Sequence, residues 1–442
     1  MKFQLAITSL LLGAGAGVAL ARPSHHTLHV RTTTHHKSSS SKSSSSQHDD
    51  NTSPTNDTSP ASSTGKPNST GRPSSGGHSG STGGGSISSH HSPEVVEVPA
   101  SAGCTFTDAE AFKNGKTGCK SIILDSITVP AGTTLDGTGL ADGTTITFHG
   151  STTFGYTQWD GPLVWFTGKN IVIQGSDDHV IDMNGHLWWD GQGGNGGKRK
   201  PKGFFAHELI SSTIVGLNIK NTPVQCFSIN EVQDLEVKDV FIDNTAGDAH
   251  GPGGISLGHN TDAFDIGSST GVSISNCTVY NQDDCMALNS GSNIAFTNNT
   301  CIGGHGISIG SVGGRRNNQV EHVYIANNTV SKSDNGVRIK TVAGASGSVF
   351  NVTMNDIKLD QIARYGIVIE QDYQNGAPTG KPTDGVPIKG VTLENISGSV
   401  NQDAKAVYIL CASCSDWSAN GVSVDGGSKD CTGAPSTDGG LC

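Results

Sequence analysis

A short pattern of residues recurs along the second half of the chain and restricts the fold more than any other feature. Each copy has a narrow second residue followed by an apolar, a variable and an apolar residue, which is the two-residue period of a strand with one buried face. In chain order the copies read QCFSI, DAFDI, DCMAL, HGISI, NGVRI and YGIVI, beginning at Gln225, Asp262, Asp284, His305, Asn335 and Tyr365. The chain is therefore expected to contain repeated, half-buried strands.

A second set of strand-like segments lies between these copies. The segments alternate apolar and polar residues and end at Asn or Asp; they read LEVKD, VSISN, IAFTN, VYIAN, VTMND and VTLEN, from Leu235, Val272, Ile294, Val323, Val352 and Val391. Two strands per repeat of roughly 20 to 30 residues are typical of a solenoid. Since the chain also has 60 glycines and almost no helical periodicity, the sequence predicts an all-β fold, a right-handed parallel β-helix (β-solenoid).

Four N-glycosylation sequons fall on the last step of this second set, at Asn276, Asn298, Asn327 and Asn395. Asparagine tolerates the backbone of a sharp bend, and a sequon asparagine also accepts a glycan in a secreted protein. Both interpretations remain open from the sequence alone.

The composition divides the chain into three parts. Residues 1–21 have an early lysine, an apolar run and a small-x-small end, which is typical of a secretory signal peptide. The run is short for a bilayer span and no second one follows, so we expect no membrane anchor. Residues 22–95 are rich in Ser, Thr, Gly, Pro and His and are predicted to be a disordered stalk or linker. Residues 96–442 are predicted to form the β-helix of a secreted, extracellular protein.

The ten cysteines all lie in this last part, and an even number in a secreted chain predicts disulfides. Proximity along the chain favours Cys104 with Cys119, Cys285 with Cys301, Cys411 with Cys414, and Cys431 with Cys442. Cys226 and Cys277 are then left over.

The net charge of −11 argues against nucleic acid as a partner. An acidic ligand would require a local concentration of cations. The motif GGNGGKRKPKG at 193–203 is one such place, and its cations Lys198, Arg199, Lys200 and Lys202 would either be solvated or contact an acidic polymer. Trp188 and Trp189, just before it, are expected to pack internally rather than against sugars. We expect the protein to be a monomer.

Stacking of coils brings distant polar residues together. Equivalent residues on adjacent coils lie about 4.8 Å apart, so Asp262, Asp284 and His305 should form a column, with Asp283 beside it. Arg338 and Lys340 occupy variable steps of NGVRI and are expected to point outward on the same sheet. We expect an exposed wall of acids, imidazole and cations whose floor is lined by small residues, namely Ala263, Cys285, Gly306 and Gly336.

Stacked like charges are destabilising, which favours a functional interpretation over a solvated turn. In one hypothesis, one carboxyl group acts as a general acid while another activates water to hydrolyse a glycosidic bond. In another, the acids bind Ca²⁺ in a lyase, or the solenoid binds its ligand without catalysis. Arg338 and Lys340 favour an anionic sugar over a cation, so no metal and no cofactor are expected.

The motifs NTDAFDIG at 260–267, NQDDC at 281–285, GGHGISIGSVGGR at 303–315, NGVRIKT at 335–341 and YGIVIEQDY at 365–373 closely resemble those of secreted fungal polygalacturonases. The resemblance covers nearly all of residues 100–442. It implies a right-handed parallel β-helix that hydrolyses α-1,4 links of pectin or polygalacturonate with inversion, for which acid and base commonly lie about 6.5–9.5 Å apart. The motif variants favour endo cleavage over exo cleavage; a calcium-dependent pectate lyase and a silent pectin-binding solenoid are further alternatives.

The resemblance also implies roles for individual residues. Asp283 resembles the general acid, and Asp262 and Asp284 the pair that activates water. His305 resembles the histidine that maintains the protonation of the acid. The residues that resemble substrate-binding positions are Arg338, Lys340, Tyr373 and Asn260. Ala263 stands where the family usually has Gly, and a methyl group on the cleft floor would reduce the rate.

Overall fold

The computed structural model describes residues 103–375 and 378–442, and these form a parallel β-helix. The proposed leader, 1–21, and linker, 22–95, lie outside the described residues. Three sheets run along the length of the coil, and every strand pairs in parallel with the equivalent strand of the next coil. The prediction of a parallel β-helix is confirmed. In the described part of the chain, no helix is both long and apolar enough to cross a bilayer.

The first sheet, here called the groove sheet, contains the DAFDI-type repeats. Its strands are Leu135–Gly137, Val164–Lys169, the first half of Phe204–Val215, Phe227–Asn230, Phe264–Gly267, Met286–Leu288, Ile307–Val312, Asn335–Val342, Tyr365–Tyr373, Lys405–Leu410 and Ser428–Thr432.

The second sheet contains the repeats of the LEVKD type. Its strands are Cys104–Phe106, Ser121–Asp125, Thr145–His149, Val172–Gly175, the second half of Phe204–Val215, Gln233–Lys238, Ser269–Ser275, Gly291–Thr297, Gln319–Ala326, the first parts of Ser348–Ile362 and Ile388–Val400, Cys414–Ser415 and Ser418–Asn420.

The third sheet closes the coil, and sequence reasoning did not separate it from the second. Its strands are Thr128–Val129, Ser151–Phe154, Val180–Asp182, Asn218–Lys220, Phe241–Asp243, Thr278–Asn281, Thr300–Gly303, Thr329–Ser331, the ends of Ser348–Ile362 and Ile388–Val400, and Ser423–Asp425.

One short α-helix, Ala109–Gly115, lies near the amino-terminal end of the described residues. The Asp108 carboxylate accepts hydrogen bonds from the backbone amides of Glu110 and Ala111, which satisfies two of the free donors of the first turn. Phe112 on this helix is completely buried. Short 3₁₀ segments occur at Lys116–Gly118, Gly185–Leu187, Gly193–Asn195, Thr245–Asp248 and Pro252–Gly254.

The core lies inside the coil, where each sheet contributes its inward-facing apolar residues. Aromatic rings stack from coil to coil at centroid distances of 5.6 Å from Phe166 to Phe204, 4.9 Å to Phe227 and 5.4 Å to Phe264. Equivalent residues contact each other directly because the coils repeat at the inter-strand spacing.

The bend after the second sheet is made by residues with positive φ. Asn276, Asn298, Asn327 and Asn395 have φ of 56, 57, 56 and 51°, and their side chains are exposed. Asparagine adopts this left-handed conformation more readily than most residues. The bend interpretation is therefore confirmed, and glycosylation of these sequons stays a prediction.

The disulfides agree with the predicted pairs. Bonds join Cys104 to Cys119, Cys285 to Cys301, Cys411 to Cys414 and Cys431 to Cys442. Cys226 and Cys277 are free thiols buried in the core. Burial raises the pKa of the Cys277 thiol to about 12, so it packs as a small apolar residue.

Candidate active site

The strand register places the predicted acid column on the groove sheet. Phe264 pairs with Met286 and Met286 with Ile307, so the residues two positions earlier, Asp262, Asp284 and His305, occupy one step of three successive coils. The amide of Ala263 donates to the Asp284 carbonyl at 2.9 Å, which confirms the stacking.

The acids are far more enclosed than the predicted exposed wall. Asp262 is 8% exposed, Asp283 6%, Asp284 1% and Lys340 6%. The prediction of an outward-facing cluster was right about direction and wrong about exposure. The reason is that neighbouring outward side chains hydrogen-bond to one another and cover the carboxyl groups.

Asp284 is held by three donors. The Ser308 hydroxyl and the Arg338 guanidinium each donate to Oδ1 at 2.8 Å, and Lys340 Nζ donates to Oδ2 at 2.9 Å. Arg338 Nε also donates to Ser308 Oγ at 3.0 Å. The predicted substrate-binding pair is therefore anchored on a catalytic candidate. Sequence reasoning missed Ser308, although it occupies the same step as Arg338 on the preceding coil.

Asp283 is paired with His305. Nδ1 of His305 lies 2.9 Å from Asp283 Oδ1, Asn260 Nδ2 donates to Oδ2 at 3.1 Å, and the Asp284 amide donates to Oδ1 at 2.8 Å. Burial acts to raise the pKa of Asp283, but the charge and hydrogen bond of His305 outweigh it and lower the pKa. Burial acts to lower the pKa of His305, and the Asp283 carboxylate reverses this and raises it. The pair is thus an imidazolium carboxylate in the free site.

Asp262 differs from the other two acids. Its Oδ1 is buried and has no hydrogen-bond partner among the described residues. Burial, followed by repulsion from Asp283, raises the pKa of Asp262 well above its usual value. Burial thus favours the neutral form of the Asp262 carboxyl group, whereas the contact with His305 favours the charged form of Asp283.

His305 separates the acids from an open cavity. The cavity has a volume of about 450 Å³ and its lining includes Gln282, His259, Lys332 and Asp334. Asp334 Oδ2 lies 4.0 Å from Nε2 of His305. One nitrogen of the imidazole thus faces the buried Asp283 and the other faces solvent, so His305 is placed to exchange protons between them.

Tyr373 lies at the end of its strand of the groove sheet, opposite Val342 of the preceding coil. Its ring centroid is 5.1 Å from Lys340 Nζ, which is cation–π distance. The buried Glu370, which sequence reasoning missed, pairs in register with Lys340. Burial raises the pKa of its carboxyl group.

The small residues of the repeats face the interior, not the cleft floor. A Cβ on Gly306 would lie 2.1 Å from the Asn335 carbonyl oxygen, and one on Gly336 would lie 2.4 Å from that of Gly366. Ala263 is completely buried, and its φ is not positive. The expectation that its methyl group obstructs the cleft was therefore wrong, because close approach of the next coil, not of a ligand, restricts residue size at this step.

The cationic loop is largely occupied by local contacts. Lys198 Nζ donates to the Leu187 carbonyl, Arg199 pairs with Asp160 at 2.8 Å, and Lys200 pairs with Asp190 at 2.9 Å. Trp188 and Trp189 are buried, as expected. Of the four cations, Lys202 remains without an ion pair to any described residue.

Asp283, Asp284 and His305 have ligand-type atoms within 4.8 Å of one another. A cation at this position would compete with His305, Arg338 and Lys340, which already neutralise both carboxylates. The donor set therefore fits a metal poorly.

A parallel β-helix whose groove sheet carries an acid–imidazole pair, two further carboxyl groups and two cations defines a polysaccharide-cleaving enzyme of the glycoside hydrolase class. The model of "Glycosyl hydrolases family 28" matches residues 119–439, and the chain belongs to that family.

Relatives of known name are similar over most of this chain. Endopolygalacturonase 1 of Colletotrichum lindemuthianum is 61% identical over 350 residues, covering 79% of this chain and 95% of the relative. The polygalacturonase of Cochliobolus carbonum is 57% identical over 343 residues, covering 77% and 93%.

Two solved structures are similar to this chain. Endopolygalacturonase I from Stereum purpureum, complexed with two galacturonate, matches with a TM-score of 0.64 and 36% identity, covering 74% of this chain and 96% of that one. An endo-xylogalacturonan hydrolase from Aspergillus tubingensis shares the fold at a TM-score of 0.65 and 22% identity, covering 77% and 98%.

Proposed function

We propose that this protein is an endopolygalacturonase that hydrolyses α-1,4 links between galacturonate units within chains of pectin or polygalacturonate. Endopolygalacturonase 1 of Colletotrichum lindemuthianum and the probable endopolygalacturonase A of Aspergillus parasiticus, 61% and 57% identical over most of this chain, carry that name. The observation that supports the substrate best is the contact of Arg338 and Lys340 with one buried carboxylate.

The charge balance of the site favours an anionic sugar despite its acids. Asp283 is neutralised by His305, and Asp262 holds a proton because its pKa is raised. Arg338 and Lys340 both contact the single carboxylate of Asp284, while burial raises the pKa of the neighbouring Glu370 and favours its neutral form. A galacturonate carboxylate can therefore bind beside Arg338, Lys340 and the ring of Tyr373.

Asp283 is assigned as the general acid, and Asp262 with Asp284 as the groups that activate water. In the reaction, water attacks the anomeric carbon and gives a proton to Asp262, while Asp283 protonates the leaving oxygen. In the free site, by contrast, the proton of the Asp283–His305 pair lies on His305, and Asp262 carries a proton of its own. The proton on His305 must first move to Asp283 across the 2.9 Å hydrogen bond, and Asp262 must release its proton.

Substrate binding favours this rearrangement. A sugar that excludes water disfavours the separated charges of the Asp283–His305 pair, so the neutral imidazole and carboxylic acid become the preferred form. Lys340 acts to lower the pKa of Asp262 and so assists loss of its proton.

Inversion is proposed although two of the carboxyl groups are close. Oxygen atoms of Asp283 and Asp284 lie within 4.8 Å, less than the spacing of about 6.5–9.5 Å common in inverting enzymes. Asp284 is 1% exposed and bound by three donors, so it is a poor nucleophile. Asp262 and Asp284, which lie one coil apart, are instead proposed to share one water. Proton NMR of the first product distinguishes the outcomes: inversion releases the β-anomer, and an initial α-anomer would contradict it.

Early products from polygalacturonate test the mode of cleavage. Internal attack gives a mixture of lengths, whereas monomer alone would show exo attack. New reducing ends without an ultraviolet-absorbing product, and without loss of activity in a chelator, distinguish hydrolysis from a calcium-dependent lyase. An absence of new ends with retained pectin binding would indicate a non-catalytic solenoid.

The protein is further proposed to be a secreted, extracellular monomer without a nucleic-acid or membrane partner. The leader-like residues 1–21 and the four disulfides support secretion. Mature protein in the medium of an expressing host that begins after Ala21, with a monomeric mass in light scattering, is the expected result.

A further inference from the structure

The two backbone segments that carry the proposed acid and the proposed base lie just before strands of the groove sheet. Asp262 precedes Phe264–Gly267 and Asp283 precedes Met286–Leu288, and the pairing of these strands begins at Phe264 and Met286. The position of one acid relative to the other therefore depends on local contacts as well as on the strand ladder. A displacement of about 1 Å at a reacting group lowers a rate about 100-fold.

Thr261 and Gln282 join these two segments through a pair of hydrogen bonds. The backbone amide of Gln282 donates to Thr261 Oγ1 at 2.8 Å, and the same hydroxyl group donates to Gln282 Oε1 at 2.9 Å. Thr261 is the residue before Asp262, and Gln282 is the residue before Asp283. One hydroxyl group thus holds both the main chain and the side chain of Gln282, and this pair of contacts is here called the clamp.

The side chain of Asn281 adds a second link between the same segments. Its Nδ2 donates to the carbonyl oxygens of Thr261 and Asp284, both at 3.0 Å, and the residue is 4% exposed. The peptide group that leads from Thr261 into Asp262 is therefore fixed to the residue after Asp283, while the clamp fixes the residue before it.

The amide group of Gln282 is oriented by a neighbouring loop. Its Nε2 donates to the Asn244 carbonyl at 2.7 Å and to the Asp248 carboxylate at 2.9 Å. Both hydrogens of Nε2 are thereby used, so Oε1 is left to accept from the hydroxyl group of the clamp. The slot for this amide requires small neighbours, since a Cβ on Gly247 or Gly258 would lie 2.7 or 2.5 Å from Oε1.

The hydroxyl group of the clamp is out of reach of a substrate. Thr261 is completely buried. Gln282 borders the open cavity beside His305, but both ends of its amide group are engaged by the protein. Thr261 can therefore affect turnover only through the backbone that it holds.

We propose that the clamp is a positioning device that sets the separation of Asp262 and Asp283. The inference rests on the proposed function, because it concerns the same reaction. In that reaction the water gives its proton to one of these groups while the other protonates the leaving oxygen, so both must be in place in a single step. Thr261 and Gln282 exchange no proton with the substrate, and they are positioning residues rather than catalytic residues.

Substitutions of Thr261 test the clamp directly. Thr261→Val removes the hydroxyl group but keeps the shape of the side chain, and it is expected to lower kcat on polygalacturonate about 10- to 100-fold with KM changed less than about twofold. The KM is retained because the cations proposed to bind the sugar carboxylate are not part of the clamp. Thr261→Ser keeps the hydroxyl group, so it should retain kcat within about threefold.

Thr144→Val is the matched control for loss of a buried hydroxyl group. Thr144 is also completely buried, and its hydroxyl donates to the Ala141 carbonyl at 2.6 Å, just before the strand Thr145–His149. This variant should keep both kcat and KM, whatever its effect on the melting temperature.

Gln282→Met tests the clamp from its other side, since it removes the amide group with little change in side-chain length. It is expected to lower kcat at an unchanged KM. Gln282 is only half-buried, so this variant decides the question if Thr261→Val does not fold. Because the two residues act as one unit, the double variant should have about the kcat of the more impaired single variant.

Four results would overturn the clamp while leaving the proposed hydrolase intact. One is an unchanged kcat in both single variants with normal circular dichroism. The second is a comparable fall in kcat for Thr144→Val or Thr261→Ser, which would show a general effect of packing. The third is a rise in KM without a fall in kcat, and the fourth is a double variant whose effect is the product of the single effects. Failure of the wild-type protein to release reducing ends from polygalacturonate contradicts the proposed function itself.

Discussion

Nδ1 of His305 and Oδ1 of Asp283 lie 2.9 Å apart, and the two side chains come from adjacent coils of the groove sheet. Each group shifts the pKa of the other toward its charged form. The pair stores one proton at the reaction centre, and the first three of the following predictions depend on the protonation of these acids and of His305.

Asp283→Asn is expected to lower kcat by at least about 100-fold, because an amide cannot donate the proton that the leaving oxygen needs. Binding of an oligogalacturonate, measured by calorimetry, should be largely retained. Asp403→Asn, at an exposed acid, is the matched control. Turnover near that of the wild type would refute the assignment of Asp283 as proton donor.

His305→Ala is expected to lower kcat and to move the alkaline limb of the pH–rate profile to lower pH. The raised pKa of His305 keeps a proton on the pair at a pH where an isolated carboxyl group has lost it. Rates measured from pH 3 to 9 test this. If only the height of the profile changes, His305 has a positioning role without proton storage.

Asp262→Asn is expected to inactivate the enzyme and to raise its melting temperature at neutral pH. The folded-state pKa of Asp262 lies above the unfolded value of 3.8, so the wild-type protein loses stability as pH rises from that value through the folded pKa. The advantage of the variant should vanish below about pH 3.8, where both states are protonated. Equal melting curves at pH 7 would contradict the raised pKa.

Lys340→Met is expected to raise KM for polygalacturonate about tenfold or more, since it removes a charged contact to the sugar carboxylate. It also leaves Asp284 with one cation fewer, at a cost of about 3 kcal/mol in the free energy of unfolding. Urea denaturation and initial rates measure the two effects separately. An unchanged KM would remove Lys340 from the substrate site.

Ser308→Ala is expected to reduce the free energy of unfolding by about 1–3 kcal/mol, because it removes one donor to Asp284 and the acceptor for Arg338 Nε. Arg338 then loses its orientation, so KM should rise too. Ser292→Ala, on the second sheet, is the control. If Ser308→Ala matches this control in both measurements, Ser308 does not orient Arg338.

The periodicity of the amino-acid sequence was enough to predict the repeat, the outward direction of the acids and their stacking. A two-residue period decides which side chains leave the sheet, and the fixed spacing of parallel strands makes equal steps meet. For this reason Asp262, Asp284 and His305 could be placed in one column although they are separated along the chain. The disulfide pairs were predicted from the closeness of the paired cysteines along the chain.

The enclosure of the acid column and the contacts of each acid depend instead on packing between coils. Periodicity specifies the sheet face from which a side chain projects, but not how far the neighbouring side chains extend over it. The burial of Asp284 and its hydrogen bond from Ser308 were therefore not predictable. The positions of Trp165 and Phe205 on the same sheet were likewise not predicted. Their register with the acids arises from backbone pairing across successive coils, because each strand takes its position from the strand before it.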